Sequence, residues 1–333
     1  MNFYICNLGC KVNTYESNIM SETLKRKGYK ETTEEEADIV IINTCCVTDV
    51  ALKKSLKMVR RYKDKITVVV GCMSQLKSDL IKDLENVKII LGNNGKSKID
   101  SYIEEYLKNK QQIIDIKDVN NIEFENMMLE NFNQTRAFVK VEDGCENFCS
   151  YCIIPYTRGK VRSRSIEDVL EEVKHLVNKG HKEIVLTGIH TGSYGTGENF
   201  DLVDLIQRIS TLDKLKRIRI SSIEITELND KFINELKINN KICNHLHIPI
   251  QSGNNRILKL MNRKYDINEY INIINKIRKV RPDINITTDL IVGFPTENEC
   301  DFEETVKNLK TIQFSKVHTF PYSNRDNTTA AEM

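Results

Sequence analysis

Unbroken apolar runs separated by helical patterns constrain this chain more than any other feature. Residues 37–43 (ADIVIIN) and 66–71 (ITVVVG) are dominated by aliphatic side chains. Runs of this kind, without alternation, mark strands buried on both faces, as in a parallel sheet covered by helices. Further strands are predicted at 3–8 and 88–91, and helices at 14–27, 49–62, from about 78, and at 96–108. Gly28 stands just past the first helix, where glycine closes a helix readily. The alternation predicts an open α/β domain with a mainly parallel sheet. Residues 115–134 are polar, rich in asparagine and without period, and read as a linker. Beyond them come six more predicted strands, at 136–142, 183–187, 217–222, 245–250, 285–292 and 316–320, with helical patterns between. The clearest helix covers 165–179 and ends at Gly180. Six βα units predict a partial, open (β/α)6 barrel whose missing strands leave a lateral opening for a large substrate. Two domains follow, 1–130 with the linker and 131–333, which suits a chain of 333 residues.

The thiols fall at informative places. Cys10 follows the first predicted strand, Cys45 and Cys46 the second, and Cys72 the third. Loops at the carboxyl ends of parallel strands share one edge of the sheet, so these cysteines are placed to converge. Each is alternatively a small buried residue at a strand end, as Cys6 on the first strand is read to be. A second set lies in one loop, DGCENFCSYCIIPYTRG, where Cys145, Cys149 and Cys152 are spaced C-x3-C-x2-C. Three thiols on one loop can wrap a single inorganic centre but cannot fill four coordination positions. An open position favours chemistry over a purely structural role. Unrelated buried cysteines are one alternative. Zinc is another, but it needs a fourth ligand, and His175 and His181 fall outside the usual finger spacing. Thiolates select iron–sulfur centres.

Composition excludes little beyond this. With 40% hydrophobic and 29% charged residues the chain can build a sizeable core. No apolar run approaches the roughly 18 residues of a membrane span. The start, MNFYICNLGC, has neither a charged n-region nor a long h-region, so no signal peptide is expected. Ten cysteines without an export signal read as cytosolic ligands or core residues, not a disulfide framework. A net charge of +2 argues neither for nor against nucleic acid. Arg158, Lys160, Arg162 and Arg164 form a basic cluster beside the cysteine loop, suited to phosphate contact or to a solvated surface. Polar residues collect where the barrel strands should end: Thr187, Gly188, Ser222, Glu224, Gln251 and Asp289. His190, His245 and His247 share no ligand spacing and read as packing or hydrogen-bonding residues.

The C-x3-C-x2-C loop with Tyr151 before its last cysteine resembles the signature of radical S-adenosylmethionine enzymes. The resemblance implies a 4Fe–4S cluster on Cys145, Cys149 and Cys152, whose fourth iron binds S-adenosylmethionine and splits it to a 5′-deoxyadenosyl radical. GCKVN-x2-ES, NTC-x-V and GC-x-x-Q resemble the three N-terminal motifs of the methylthiotransferases. By motif match Cys10, Cys45 and Cys72 would hold a second 4Fe–4S cluster that presents sulfur. Cys46 stands one place later, where the motif has no fixed cysteine. LTGIHTGSYG, RIRISSIE, NHLHIPIQSG and TDLIVGFP are similar to the subgroup acting on threonylcarbamoyladenosine beside the tRNA anticodon. Sister groups act on isopentenyladenosine or on a ribosomal-protein aspartate. A reading from another class is a non-catalytic iron–sulfur or zinc protein that binds RNA. The resemblance further implies S-adenosylmethionine contacts at Thr187, Gly188, Ser222, Glu224 and Gln251. It implies tRNA and a reducing electron donor as partners, and a cytoplasmic enzyme. Family members continue into an RNA-binding β-barrel called TRAM. This chain stops at RDNTTAAEM, so it is either a fragment or binds tRNA without that module, and weaker tRNA binding is expected. Small departures are Ser74 for alanine, and Thr296 and Asn327 for glycine.

Overall fold

A computed structural model describes residues 1–132 and 134–333; Asn133, within the expected linker, lies outside the described residues. The chain forms two compact units. The first holds Met1–Phe132 and Ile154–Lys160, the second Asn133–Ile153 and Val161–Met333. Residues 154–160, well past the expected boundary near 130, are therefore grouped with the N-terminal part.

The first unit runs β1 (Asn2–Asn7), α1 (Lys11–Arg26), β2 (Lys30–Glu31), β3 (Ile39–Thr44), α2 (Asp49–Arg61), β4 (Ile66–Gly71), α3 (Cys72–Lys77), β5 (Val87–Leu91), α4 (Ile99–Asn109) and β6 (Ile113–Asp115), with α5 (Ile154–Arg158) joining from the later segment. Its six strands are all parallel, in the order β2-β1-β3-β4-β5-β6. Every residue of β3 is buried. Phe3, Ile39, Ile41, Val68, Val70, Ile89 and Leu91 pack with Met20 and Leu24 of α1 and with Ile99 and Ile103 in one core. The strand order reverses between β1 and β3. In open sheets of this kind, ligands bind outside the carboxyl ends of the strands flanking that reversal. A helix was expected from about residue 78; a 3-10 turn, Ser78–Leu80, lies there, but the α-helix comes earlier, at Cys72–Lys77. Gly71, at φ +105°, lets the chain turn directly out of β4, a conformation glycine adopts without penalty. The expected linker is folded onto this unit: Leu129 is fully buried, the Tyr15 hydroxyl donates to the Met127 carbonyl at 2.7 Å, and Glu22 accepts the Glu130 and Asn131 amides at 2.9 and 2.7 Å.

The second unit runs β7 (Ala137–Lys140), β8 (Glu142–Asp143), β9 (Arg162–Ser163), α6 (Ile166–Asn178), β10 (Glu183–Thr187), α7 (Leu202–Ser210), β11 (Arg217–Ile220), α8 (Asp230–Ile238), β12 (His245–His247), α9 (Asn255–Leu260), α10 (Ile267–Val280), β13 (Asn285–Val292), α11 (Glu299–Ile312) and β14 (Lys316–Pro321). β7, β10 and β11 pair in parallel, as do β12, β13 and β14, and an Ile218–Ile242 bridge links the two sets. Six parallel strands in chain order with helices between them form the partial barrel that the sequence leads one to expect. The helices are capped at their amino ends by Ser165, Asp201, Asn229, Asn254, Asp266 and Asn298, each accepting a backbone N–H. Caps of this kind contribute about 1 kcal/mol each. β12 stops at His247 rather than at 250, because Pro249 has no N–H to give to a ladder. Among the described residues no helix is long and apolar enough to cross a membrane.

Candidate metal centres

At the carboxyl edge of the first unit's sheet three thiols come from three strand ends. Cys10 is the N-cap of α1, directly after β1, and its thiol donates to Asn13 Oδ1 at 3.3 Å. Cys45 follows β3; the Ser55 hydroxyl accepts its N–H at 3.2 Å and donates to its carbonyl at 3.0 Å. Cys72 opens α3 after β4, and the Asn93 amide group lies 3.8 Å from its sulfur. Two asparagines from the first two motifs stitch these loops together. Asn13 donates to Asn43 Oδ1 at 2.8 Å and to the Thr44 carbonyl at 3.2 Å, and Asn43 returns a bond to the Asn13 carbonyl at 3.0 Å. Gly71 permits the same approach from the other side, since a Cβ there would meet the Thr44 carbonyl at 2.7 Å. Burial, opposed by a hydrogen bond from the Val47 backbone and by Arg158 and aided by the Cys72 and Cys10 thiols, pushes the Cys45 thiol up to about 11. Cys6 lies apart: burial raises its pKa too, but the charges that act on it are Glu34, Lys54 and Arg61.

Behind this trio sits a buried charge network that the sequence did not disclose. Arg158 grips Glu16 through Nη1–Oε1 at 2.7 Å and Nη2–Oε2 at 3.4 Å, and Lys96 pairs with the same carboxylate. Their side chains are 0%, 1% and 0% exposed, respectively. Lys96 also donates to Asn93 Oδ1 at 3.1 Å, and Asn93 donates to the Thr157 carbonyl at 2.7 Å. Asn93 thus joins the network to Cys72. The basic cluster read from the sequence therefore does not form a shared surface. Arg158 serves Glu16, Arg164 pairs with buried Glu172, and Arg162 lies 3.9 Å from Asp143; Lys160 is exposed.

The second trio lies on the loop bracketed by the antiparallel pair β8 and β9. The loop turns through Gly144 and Phe148, both at positive φ, and closes with the Cys152 amide donating to the Cys149 carbonyl at 2.9 Å. Ser150 holds it to the barrel at both ends of its peptide, donating to the Met261 carbonyl and accepting from Ala330. Tyr151 packs on Ile257, Met261 and Phe294. Arg263, absent from the sequence reading, places Nη1 3.3 Å from Cys149 Sγ and pairs through Nη2 with Glu224. His190 lies 3.8 Å from Cys145 Sγ, 2.6 Å from the Ser193 hydroxyl, and pairs with Glu227. Desolvation works to lower its pKa, but Cys145 and Glu227 outweigh this and raise it to about 11. The His190 amide donates to Glu142 Oε2 at 2.7 Å, and burial pushes the Glu142 carboxyl up to about 8.

The remaining sequence-predicted site residues are found at strand ends. Thr187 is buried at the end of β10 and its hydroxyl is bonded to Ser221 at 3.2 Å. Gly188 follows it with Glu142 packed so closely that a Cβ would strike the carboxylate. Ser222 and Glu224 follow β11, the latter held by Arg263. Gln251, at φ +61°, donates its amide to the Asp289 carbonyl at 2.9 Å. His245 and His247 are hydrogen-bonding residues, as expected, both bonded to Thr287.

Among the described residues no group of three or more His, Cys, Asp or Glu is gathered tightly enough to hold one metal ion. A cubane takes each thiolate at a different iron, so its ligands stand farther apart than those around one ion. Each trio offers soft thiols alone, the donor set that suits iron–sulfur centres.

Residues 139–309 match the family model of the Radical SAM superfamily, and residues 2–92 match that of an uncharacterized protein family, UPF0004. The chain is 42% identical over 335 residues to the threonylcarbamoyladenosine tRNA methylthiotransferase MtaB of Bacillus subtilis, covering 98% of this chain and 74% of that one. It is 38% identical to the Thermotoga maritima protein of the same name, covering 98% and 75%. It is 39% identical to a tRNA-2-methylthio-N(6)-dimethylallyladenosine synthase of Clostridium botulinum, covering 99% and 76%. In fold it is similar to TsrM, a radical S-adenosylmethionine methyltransferase of Kitasatospora setae, with a TM-score of 0.70 at 12% identity over 99% of this chain and 77% of that one.

Proposed function

Because the chain belongs to the radical S-adenosylmethionine methylthiotransferase family, we propose that it converts N6-threonylcarbamoyladenosine beside the tRNA anticodon to its 2-methylthio derivative. The observation that carries this reading is the pair of three-thiol sets, one at the carboxyl ends of β1, β3 and β4, the other on the loop between β8 and β9. On this reading Cys10, Cys45 and Cys72 hold one 4Fe–4S cluster and Cys145, Cys149 and Cys152 another. Bound there, the clusters supply the electron that cleaves S-adenosylmethionine and a place to carry sulfur.

The C2–H of adenine is not acidic enough for a side-chain base near neutral pH, so the chain's own work is placement. Arg263 donates toward Cys149 and ties it to Glu224, which fixes the loop against the end of β11. His190 holds the Cys145 side of the same loop through Ser193 and Glu227. Thr187, Gly188, Ser222, Glu224 and Gln251 line the strand ends where S-adenosylmethionine would lie. Of these, the Thr187 hydroxyl is also hydrogen-bonded to that of Ser221 at 3.2 Å. tRNA and a reducing electron donor are its partners, in the cytoplasm.

The sister substrate, dimethylallyladenosine, is favoured by the relatives named as dimethylallyladenosine synthases, from Clostridium botulinum and Acetivibrio thermocellus, at 38–39% identity against 42% for the Bacillus subtilis threonylcarbamoyladenosine enzyme. Mass spectrometry of total-tRNA nucleosides from a deletion strain separates the two. The 2-methylthio-threonylcarbamoyladenosine peak should vanish; its persistence, with loss of the dimethylallyl derivative, would reverse the assignment.

A further inference from the structure

β12 and β13 have one sealed face and one open face, while β14, at the sheet edge, is half-buried or exposed along its whole length. Leu246, Ile286, Thr288 and Leu290 are buried. The residues between them, His245, His247, Thr287 and Asp289, are only half-buried, as is His318 beside Asp289. Parallel strands flanked by helices are normally buried on both faces. Crossovers of one hand along strands in chain order put the helices on one side, so the open face is the barrel's inner wall. Three of the chain's six histidines lie on it.

These side chains form one connected layer. Thr287 Oγ1 is 3.0 Å from His245 Nε2 and 2.9 Å from His247 Nδ1. His247 Nε2 is 3.2 Å from Asp289 Oδ2. The His247 and His318 rings meet edge-on, with centroids 5.9 Å apart. The register sets Lys316 opposite Thr287 and Phe320 opposite Ile291, so β14 presents an exposed ammonium and an exposed phenyl ring on either side of His318. The layer lies next to Gln251, whose backbone N–H donates to the Asp289 backbone carbonyl. Such a wall offers donors, an acceptor, a cation and one apolar surface. A guest with a carboxylate, a hydroxyl and urea N–H groups can satisfy it. An apolar guest would strip water from Asp289 and the imidazoles and return no hydrogen bond, which is costly.

Resting on the substrate reading above, we propose that this wall receives the N6 substituent of the target adenosine and selects the threonylcarbamoyl group over a prenyl group. Lys316 and His318 face the carboxylate, and Asp289 accepts from the urea N–H or the hydroxyl. Selection of this kind works partly by penalising the wrong guest.

The test uses the full chain, reconstituted anaerobically, and anticodon stem-loops carrying threonylcarbamoyladenosine, dimethylallyladenosine or plain adenosine. Lys316→Ala and His318→Phe should weaken affinity for the threonylcarbamoyl RNA by roughly ten- to a hundredfold. They should raise its KM more than they lower kcat, and leave affinity for the plain RNA within about twofold. Iron and sulfide content at the wild-type level checks that the variants are folded and loaded. Equal losses on all three RNAs, or none, would overturn the proposal while leaving the substrate reading intact. Wild-type protein that methylthiolates only the dimethylallyl RNA would overturn both.

Discussion

Replacing Glu16 by glutamine should unfold the first unit at a much lower temperature. Glu16 is shared by Arg158 and Lys96, and all three side chains are at most 1% exposed. Removing one member of a buried ionic set typically costs about 3–5 kcal/mol, because the remaining charge loses its counter-charge while still out of water. For a unit of this size that is a shift of roughly 10–20 °C in its midpoint. Replacing the whole set by apolar residues of similar volume, Glu16→Leu with Lys96→Met and Arg158→Met, should recover most of the loss. Lys96→Met alone should cost less than Glu16→Gln, since the two-bond Arg158–Glu16 grip remains. The assay is calorimetry of the full chain, read at the transition that the variants move, because two units need not melt together. A Glu16→Gln midpoint within a few degrees of wild type would refute the reasoning. So would a triple variant no more stable than the single one.

Two further outcomes are open to measurement. Gly71→Ala places a Cβ 2.7 Å from the Thr44 carbonyl at φ +105°, so it should part the Cys45 and Cys72 loops. The expected result is loss of iron and sulfide equivalent to one cluster of two, and undiminished iron would count against the assignment. Glu183 gives a pH dependence. Burial opposes its ionisation, but hydrogen bonds from Arg219 and Arg217 outweigh this and lower its pKa. Its contribution is therefore full above the unfolded value of about 4.3 and fades as pH falls through the lower folded value. Urea midpoints of wild type and Glu183→Gln should converge between pH 6 and pH 3, and a constant gap would contradict it.

The strand runs were legible because burial on both faces leaves a continuous apolar signal; β10 and β13 lie at the residues expected of them. The thiols were legible because strand ends and short loops fix their neighbourhoods through local spacing. The Glu16–Arg158 pair was not, because its partners are 142 residues apart and pairing at that distance leaves no periodic trace. Arg158 lies beside cysteines in a basic stretch and so looked like a surface residue. Arg263 was equally silent, since nothing around it in MNRKY marks a residue that reaches Cys149. The open histidine face escaped notice because its residues belong to three strands, and only the lateral register brings them level.

Residues 154–160 fold with the first unit, although the chain on either side of them belongs to the second. The polypeptide therefore passes from one body to the other three times, and a single scissor cut near residue 130 cannot yield two self-sufficient halves. The leading fragment would keep Glu16 and Lys96 but forfeit the guanidinium that Arg158 brings back. Any recombinant exchange of modules between relatives has to carry that returning segment along with its host.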